Sequence, residues 1–118
     1  MYMFQICVYP SGEVAGEINL RLGDTESLRL YGGHIGYGVR SRYRGRRFAA
    51  RSVKLLLPLA RAHGMRELWI TCNPDNLASR RTCELAGAEF VEIVDLPSYL
   101  DMYREGERQK CRYRLALS

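Results

Sequence analysis

Apolar and polar positions along the chain fall into strand-like and helix-like blocks, separated by Gly, Pro and Asn. Two strand candidates open it, at residues 2–9 and 13–22, and Pro10-Ser11-Gly12 supplies turn chemistry between them. They are expected to form an antiparallel hairpin. A polar loop around Gly23-Asp24-Thr25-Glu26 follows, then a third strand, His34-Ile35-Gly36-Tyr37-Gly38-Val39. Glycine is unusual inside a strand, and Gly36 and Gly38 predict a bulge or a face that a ligand or backbone approaches closely.

Helical periodicity starts at about residue 46 and runs to 63. Ala49, Val53, Leu56, Leu57 and Ala60 form one apolar stripe at that spacing. Pro58 lies within it and should kink it, because a ring replaces one hydrogen-bond donor. Gly64 ends the helix. The next strand is Glu67-Leu68-Trp69-Ile70-Thr71-Cys72. A right-handed crossover should place it parallel to the glycine-rich strand. A second helix is expected from Pro74 or Leu77 to Ala86, capped by Asn73 with Pro74 or by Asn76 alone, and closed by Gly87. Residues 88–94 and 111–117 read as strands that pair antiparallel across a long polar loop, 95–110. The class is α/β: a mixed sheet with helices packed on it, antiparallel at its ends and parallel in the middle.

Length fits one domain, 1–118, with no room for a second. No apolar run approaches the roughly 20 residues that span a bilayer, so no membrane partner is expected. Cys7, Cys72, Cys83 and Cys111 contain no C-x-x-C pair, so neither zinc nor another metal is expected. Cys7, Cys72 and Cys111 sit in strand patterns, where a thiol acts as a small hydrophobe. Reduced cysteines place the protein in the cytoplasm.

The formal charge is +5, and only Lys54 and Lys110 are lysines. Arginines 40, 42, 44, 46, 47 and 51 crowd one stretch of 12 residues, whereas the others are scattered among acids. That interruption argues against the continuous basic face of a nucleic-acid binder. Cations at a helix N-terminus oppose the macrodipole by a few tenths to about 1 kcal/mol each. The stretch Arg42-Tyr43-Arg44-Gly45-Arg46-Arg47 is therefore best explained by an anion, which Gly45 lets the backbone approach closely.

This turn resembles the pyrophosphate signature Q/R-x-x-G-x-G/A of the GNAT N-acetyltransferase superfamily, with Arg47 departing at the last position. Asn76-Leu77-Ala78-Ser79, followed by Gly87-Ala88-Glu89-Phe90, resembles that family's second signature. The element order is also similar, over roughly residues 12–117. The resemblance implies an acyl-CoA N-acyltransferase fold that moves an acetyl group from acetyl-CoA to an amine acceptor. Backbone groups of Gly38, Val39 and Arg40 would hold the pantetheine arm as an added strand would. The N–H groups from Arg44 through Gly45, Arg46, Arg47 and Phe48 to Ala49 would hold the pyrophosphate. Arg44 and Arg46 would add charge-assisted bonds, and Arg47 would reach the 3′-phosphate or solvent. Asn76 and Ser79 would face the coenzyme from the far side.

Transfer also needs a polarised carbonyl, a proton for the leaving thiolate and a neutral amine. The resemblance places polarisation on backbone N–H near Gly38 and Val39. It puts Cys83 where many relatives carry a tyrosine acid, although Cys83 also fits simple packing. His34 and Glu17 are the candidate bases, with His34 equally readable as a structural histidine, and Tyr37 is a candidate orienting hydroxyl. His63, in the last helical turn, reads as a cation at the dipole's negative end.

The family's usual first strand and two helices have no counterpart here. The chain would then be a natural short form, a truncated product, or one whose missing wall comes from a partner. Residues 2–9 would be an exposed edge or pairing surface, and a homodimer is expected. A non-catalytic acyl-CoA-binding or regulatory module is the alternative function.

Overall fold

A computed structural model describes residues 1–117 of the chain. Strands β1 (Tyr2–Cys7), β2 (Val14–Leu20) and β3 (Ile35–Val39) form one antiparallel sheet in the order β1-β2-β3. Strands β4 (Glu67–Cys72), β5 (Glu89–Asp95) and β6 (Gln109–Ala116) form a second, in the order β4-β6-β5. The expected first hairpin and the β5–β6 hairpin are both present. β6 lies between β4 and β5, an arrangement that local pattern does not predict.

The expected parallel ladder in the middle is not formed. Among the described residues, one backbone hydrogen bond joins β3's entry to β4, from His34 N–H to Trp69 O at 2.6 Å. Beyond it the two sheets share no ladder, and Ile35–Val39 keeps one edge free. The glycines of β3 serve this arrangement through close approach on the β2 side. A Cβ on Gly16 would lie only 2.1 Å from Gly38 O.

Helix α1 (Phe48–Ala62) crosses from β3 to β4 and continues through Pro58. It buries Ala49, Ala50, Val53, Leu56 and Ala60 against the first sheet, with Leu57 half-buried, close to the expected stripe. Complete burial of a side chain the size of Val53 stabilises by roughly 1.5–3 kcal/mol. Helix α2 (Leu77–Leu85) packs on the second sheet, and Asn76 Oδ1 caps it by accepting from Ser79 N–H at 3.1 Å. Cys83 lies on its inner side with no exposed surface.

The 95–110 segment contains a short helix, α3 (Asp101–Arg104), and buries Leu96. A π-helical turn at Leu28–Gly32 covers part of the second sheet. It is fastened there by Thr71 Oγ1 donating to Tyr31 O and Arg112 Nε donating to Arg29 O. Cys72 and Cys111 are buried hydrophobes, as their pattern predicts, but Cys7 on the edge strand is exposed. No helix among the described residues is long and apolar enough to cross a membrane.

Candidate active site

A cleft of about 550 Å³ opens where the two sheets diverge. Tyr37, Gly38 and Val39 form one wall, and the arginine turn with the start of α1 forms the floor. Asn76, Ala78, Ser79, Arg81, Thr82 and Leu85 form the far wall. Gly38, Val39, Arg44, Gly45, Arg47, Phe48, Ala49, Asn76 and Ser79 are thus brought together from three distant stretches of chain.

The floor has the chemistry of an anion site. Ser41–Tyr43 makes a 3₁₀ turn that buries Tyr43 edge-on against Phe48, 6.0 Å between ring centroids. The Tyr43 hydroxyl donates to the Glu13 carboxylate, which anchors the turn to β2's entry. Gly45 has φ +82°, and Arg47, the residue before α1, has φ +63°. Arg47 therefore holds a left-handed conformation where the family pattern has a small residue, at a cost of order 1 kcal/mol. No side chain caps α1, and its first helical bond runs from Arg51 N–H to Arg47 O. The N–H groups of Phe48, Ala49 and Ala50 consequently lack helical partners beside the cleft.

Backbone alternation identifies which groups of β3 face the opening. Arg21 N–H donates to His34 O and Arg40 N–H donates to Ala15 O, so the residues bonded to β2 are 34, 36, 38 and 40. Tyr37 and Val39 therefore present their N–H and C=O groups to the cleft, and Gly38 does not. Arg44 Nε already donates to Val39 O at 3.1 Å. This corrects the expectation for Gly38. It also removes Arg40, whose C=O accepts from Tyr43 N–H at 2.9 Å and whose N–H is the one bonded to Ala15.

Side-chain assignments shift as well. Arg46 does not line the cleft, and its guanidinium lies over the Tyr43 ring, 5.8 Å from the centroid. Arg42 takes a similar position at 5.0 Å. Cation–π contact holds both arginines, and Arg42 also pairs with the Glu13 carboxylate at 3.9 Å, leaving Arg44 and Arg47 as the turn's cations at the opening. Arg81 and Thr82 on α2 also line it and have no place in the sequence expectations. Helical spacing from Ala78 contains that signal, since 78, 81, 82 and 85 fall on one face.

His34 is not positioned as a base. It is 2% exposed, lies outside this cleft, and lines a separate polar cavity with Trp69, Glu67 and His63. Trp69 backbone N–H donates to its Nδ1 at 2.9 Å, so Nε2 carries the proton and donates to Gly23 O at 3.1 Å. Burial lowers its pKa. Both nitrogens are committed to joining the sheets and the Gly23 loop. His63 at the end of α1 shares Nε2 with the Tyr2 hydroxyl at 2.8 Å.

Cys83 is sealed from solvent, and its contact with Cys72, together with burial, holds its thiol well above the ordinary range. It is unsuited to meeting a substrate directly. The hydroxyl at that place belongs to Tyr37, whose Oη lies 2.6 Å from Ser79 Oγ and 4.0 Å from Cys83 Sγ. Burial raises the phenol pKa, so it stays protonated near neutrality. Glu17 is exposed on the outward face of β2, opposite Gly38.

Two antiparallel sheets splayed beside an uncapped helix start define an acyl-CoA N-acyltransferase fold. The family model described as an acetyltransferase (GNAT) domain matches residues 1–89, and the chain belongs to the GNAT acetyltransferase family. An acetyltransferase of the GNAT family from Bacillus anthracis superposes with a TM-score of 0.75 at 16% identity, covering 98% of this chain and 66% of that one. A ribosomal-protein-S5-alanine acetyltransferase from Vibrio fischeri gives a TM-score of 0.71 at 17% identity, covering 98% and 61%. The microcin C7 self-immunity acetyltransferase MccE, in complex with acetyl-CoA and AMP, gives a TM-score of 0.67 at 18% identity, covering 88% and 55%. The chain thus spans less than two thirds of the length of each. No curated protein sequence matches it significantly.

Proposed function

We propose that this chain is an acetyl-CoA-dependent N-acetyltransferase acting on a primary amine. The observation that carries the reading is the cleft itself. Strand-edge N–H groups of Tyr37 and Val39, unpartnered N–H groups at the start of α1, and the cations Arg44, Arg47 and Arg81 all border one opening. Each matches a different part of a pantetheine–pyrophosphate chain: amides on the strand edge, phosphates on the helix start. MccE, a similar fold, holds acetyl-CoA, which supports the same donor here.

In this reading the thioester lies beside Tyr37. The N–H of Tyr37 or Val39 polarises its carbonyl. The amine lone pair forms the C–N bond, the C–S bond breaks, and sulfur takes a proton from Tyr37 Oη. Overall an ammonium and acetyl-CoA give an amide, free CoA and one proton.

Calorimetric titration with acetyl-CoA tests the donor half, and Gly45→Glu should abolish the heat while leaving the circular dichroism spectrum unchanged. A carboxylate at that turn would oppose the phosphates. Normal binding by the folded variant would remove this assignment. Amine-dependent thiol release distinguishes an enzyme from a module that only binds acyl-CoA.

A further inference from the structure

The outward face of the first sheet carries chemistry that the donor cleft does not use. Register sets Glu17 opposite Gly38 and Asn19 opposite Gly36, and directly opposed residues share a face. Tyr37 and Ile18 point to the other, core-facing side. Between these two glycines β3 therefore has no side chain on its outward surface, and β2 side chains lean across it.

Two kinds of group meet there. Asn19 Nδ2 and Oδ1 lie 3.1 and 3.2 Å, and Arg21 Nη2 3.3 Å, from the place a Gly36 Cβ would occupy. Glu17 Oε1 lies 3.8 Å from the corresponding place at Gly38. Arg21 is held by Nη1, which donates to Gly32 O and Gly33 O at 2.9 and 3.3 Å, so Nη2 remains over Gly36. Asn19 Oδ1 is buried with no donor among the described residues. Glu17 makes no ion pair among the described residues either. The neighbours on β1 are neutral, Gln5 beside Glu17 and Met3 beside Asn19. The strip is thus a carboxylate at one end and N–H donors at the other, two residues or about 7 Å of strand apart.

We propose that this strip binds the acceptor, and that the acceptor is an ammonium with a carbonyl or carboxylate oxygen beside it. Glu17 holds the ammonium, and Asn19 with Arg21 holds the oxygen. The inference rests on the donor reading, which sets the thioester at Tyr37, the residue between the two glycines. The amine then reaches the carbonyl carbon from the outward side while the coenzyme occupies the cleft. Glu17 takes the ammonium proton, the neutral nitrogen forms the C–N bond, and the thiolate leaves with the Tyr37 proton. Water removes the amide nitrogen's surplus proton. A free amino acid and a peptide amino terminus share this chemistry.

Thiol release from acetyl-CoA is measured with glycine, glycinamide and ethylamine, in the wild type, Glu17→Gln and Asn19→Ala. Wild type should use glycine or glycinamide with a kcat/KM at least about tenfold above ethylamine. Preference for glycine assigns a free amino acid, and preference for glycinamide a peptide amino terminus. Glu17→Gln should lower kcat/KM for all three roughly 100-fold. Asn19→Ala should bring glycinamide and ethylamine within about twofold of each other. Acetyl-CoA affinity by calorimetry should stay unchanged in both variants. If acetyl-CoA binds but the wild type shows no preference over ethylamine, or Glu17→Gln keeps wild-type kcat/KM, the strip is not the acceptor site and the donor reading survives. If the wild type binds no acetyl-CoA, both readings fall together.

Discussion

Tyr37 Oη lies 2.6 Å from Ser79 Oγ and so joins the free edge of the first sheet to the start of α2 across the cleft. The phenol is kept protonated by burial and occupies the region where Cys83 alone would leave only a sealed thiol. Replacement of Tyr37 by Phe should lower kcat by about 100-fold, the usual contribution of a positioned acid. Acetyl-CoA affinity should change by less than about threefold, because in the proposed reaction the hydroxyl acts only on the leaving sulfur. Ser79→Ala should cost less, about tenfold in kcat, since it orients the phenol without touching the reacting atoms. Steady-state kinetics beside calorimetry separates the two effects.

The arginines of the turn are expected to divide sharply. Arg44 and Arg81 border the cleft, whereas Arg46 lies over Tyr43. Arg44→Ala and Arg81→Ala should each weaken acetyl-CoA about tenfold, the scale of one charge-assisted bond. Arg46→Ala should remain within about twofold. Equal losses at all three positions would point to a general field instead of local contacts, and titrations in low and high salt would show it.

His34 makes folding stability depend on pH. Burial sets its folded pKa below the ordinary imidazole value of about 6.5. The unfolded chain therefore takes up the proton first as pH falls. The stability that neutral His34 contributes is complete above about 6.5 and is lost as pH drops toward its lower folded value. Protonated Nδ1 would also face the Trp69 N–H that it now accepts. Urea unfolding should show wild type losing stability between about pH 7 and 5. His34→Gln should be less stable at pH 7.5 by about 1–3 kcal/mol, from unmet hydrogen bonds, and vary less with pH.

Gly16 is expected to tolerate no side chain. A Cβ there would stand 2.1 Å from Gly38 O and 2.9 Å from Val39 Cα, both backbone atoms that cannot rotate away. Gly16→Ala should destabilise by about 3 kcal/mol in denaturant titration, at the upper end for overpacking. The strain falls on the strand that walls the cleft, so acetyl-CoA affinity should drop in the same variant. Gly12→Ala provides a contrast, because its Cβ meets nothing within 4 Å and only the positive φ opposes it.

Much of this architecture is legible along the chain. The period of α1's apolar positions, the turn residues at 10–12, and Asn76 before α2 each act over a few residues, and each appears in the fold. The arginine–glycine turn is legible for the same reason: Gly45 and its flanking arginines are neighbours in sequence, and the fold sets Arg44, Gly45 and Arg47 along the cleft. Less is legible where one residue type supports two roles. His34 is a polar residue at the entry to a glycine-rich strand, and only its two hydrogen bonds show that it fastens the sheets. Arg44 and Arg46 look equivalent in sequence, yet Tyr43 captures one and the cleft faces the other.

Sequence by itself determined the six strands, the two longer helices, the Asn76 cap and the arginine–glycine stretch between β3 and α1. These depend on backbone preference and on side-chain spacing within a few residues. Tertiary structure alone decided that β6 enters between β4 and β5, that β3 and β4 meet at one hydrogen bond and then separate, and that Tyr37 supplies the hydroxyl beside Cys83. These outcomes depend on contacts between residues tens of positions apart. Their geometry follows from how whole sheets and helices pack, and no local pattern encodes it.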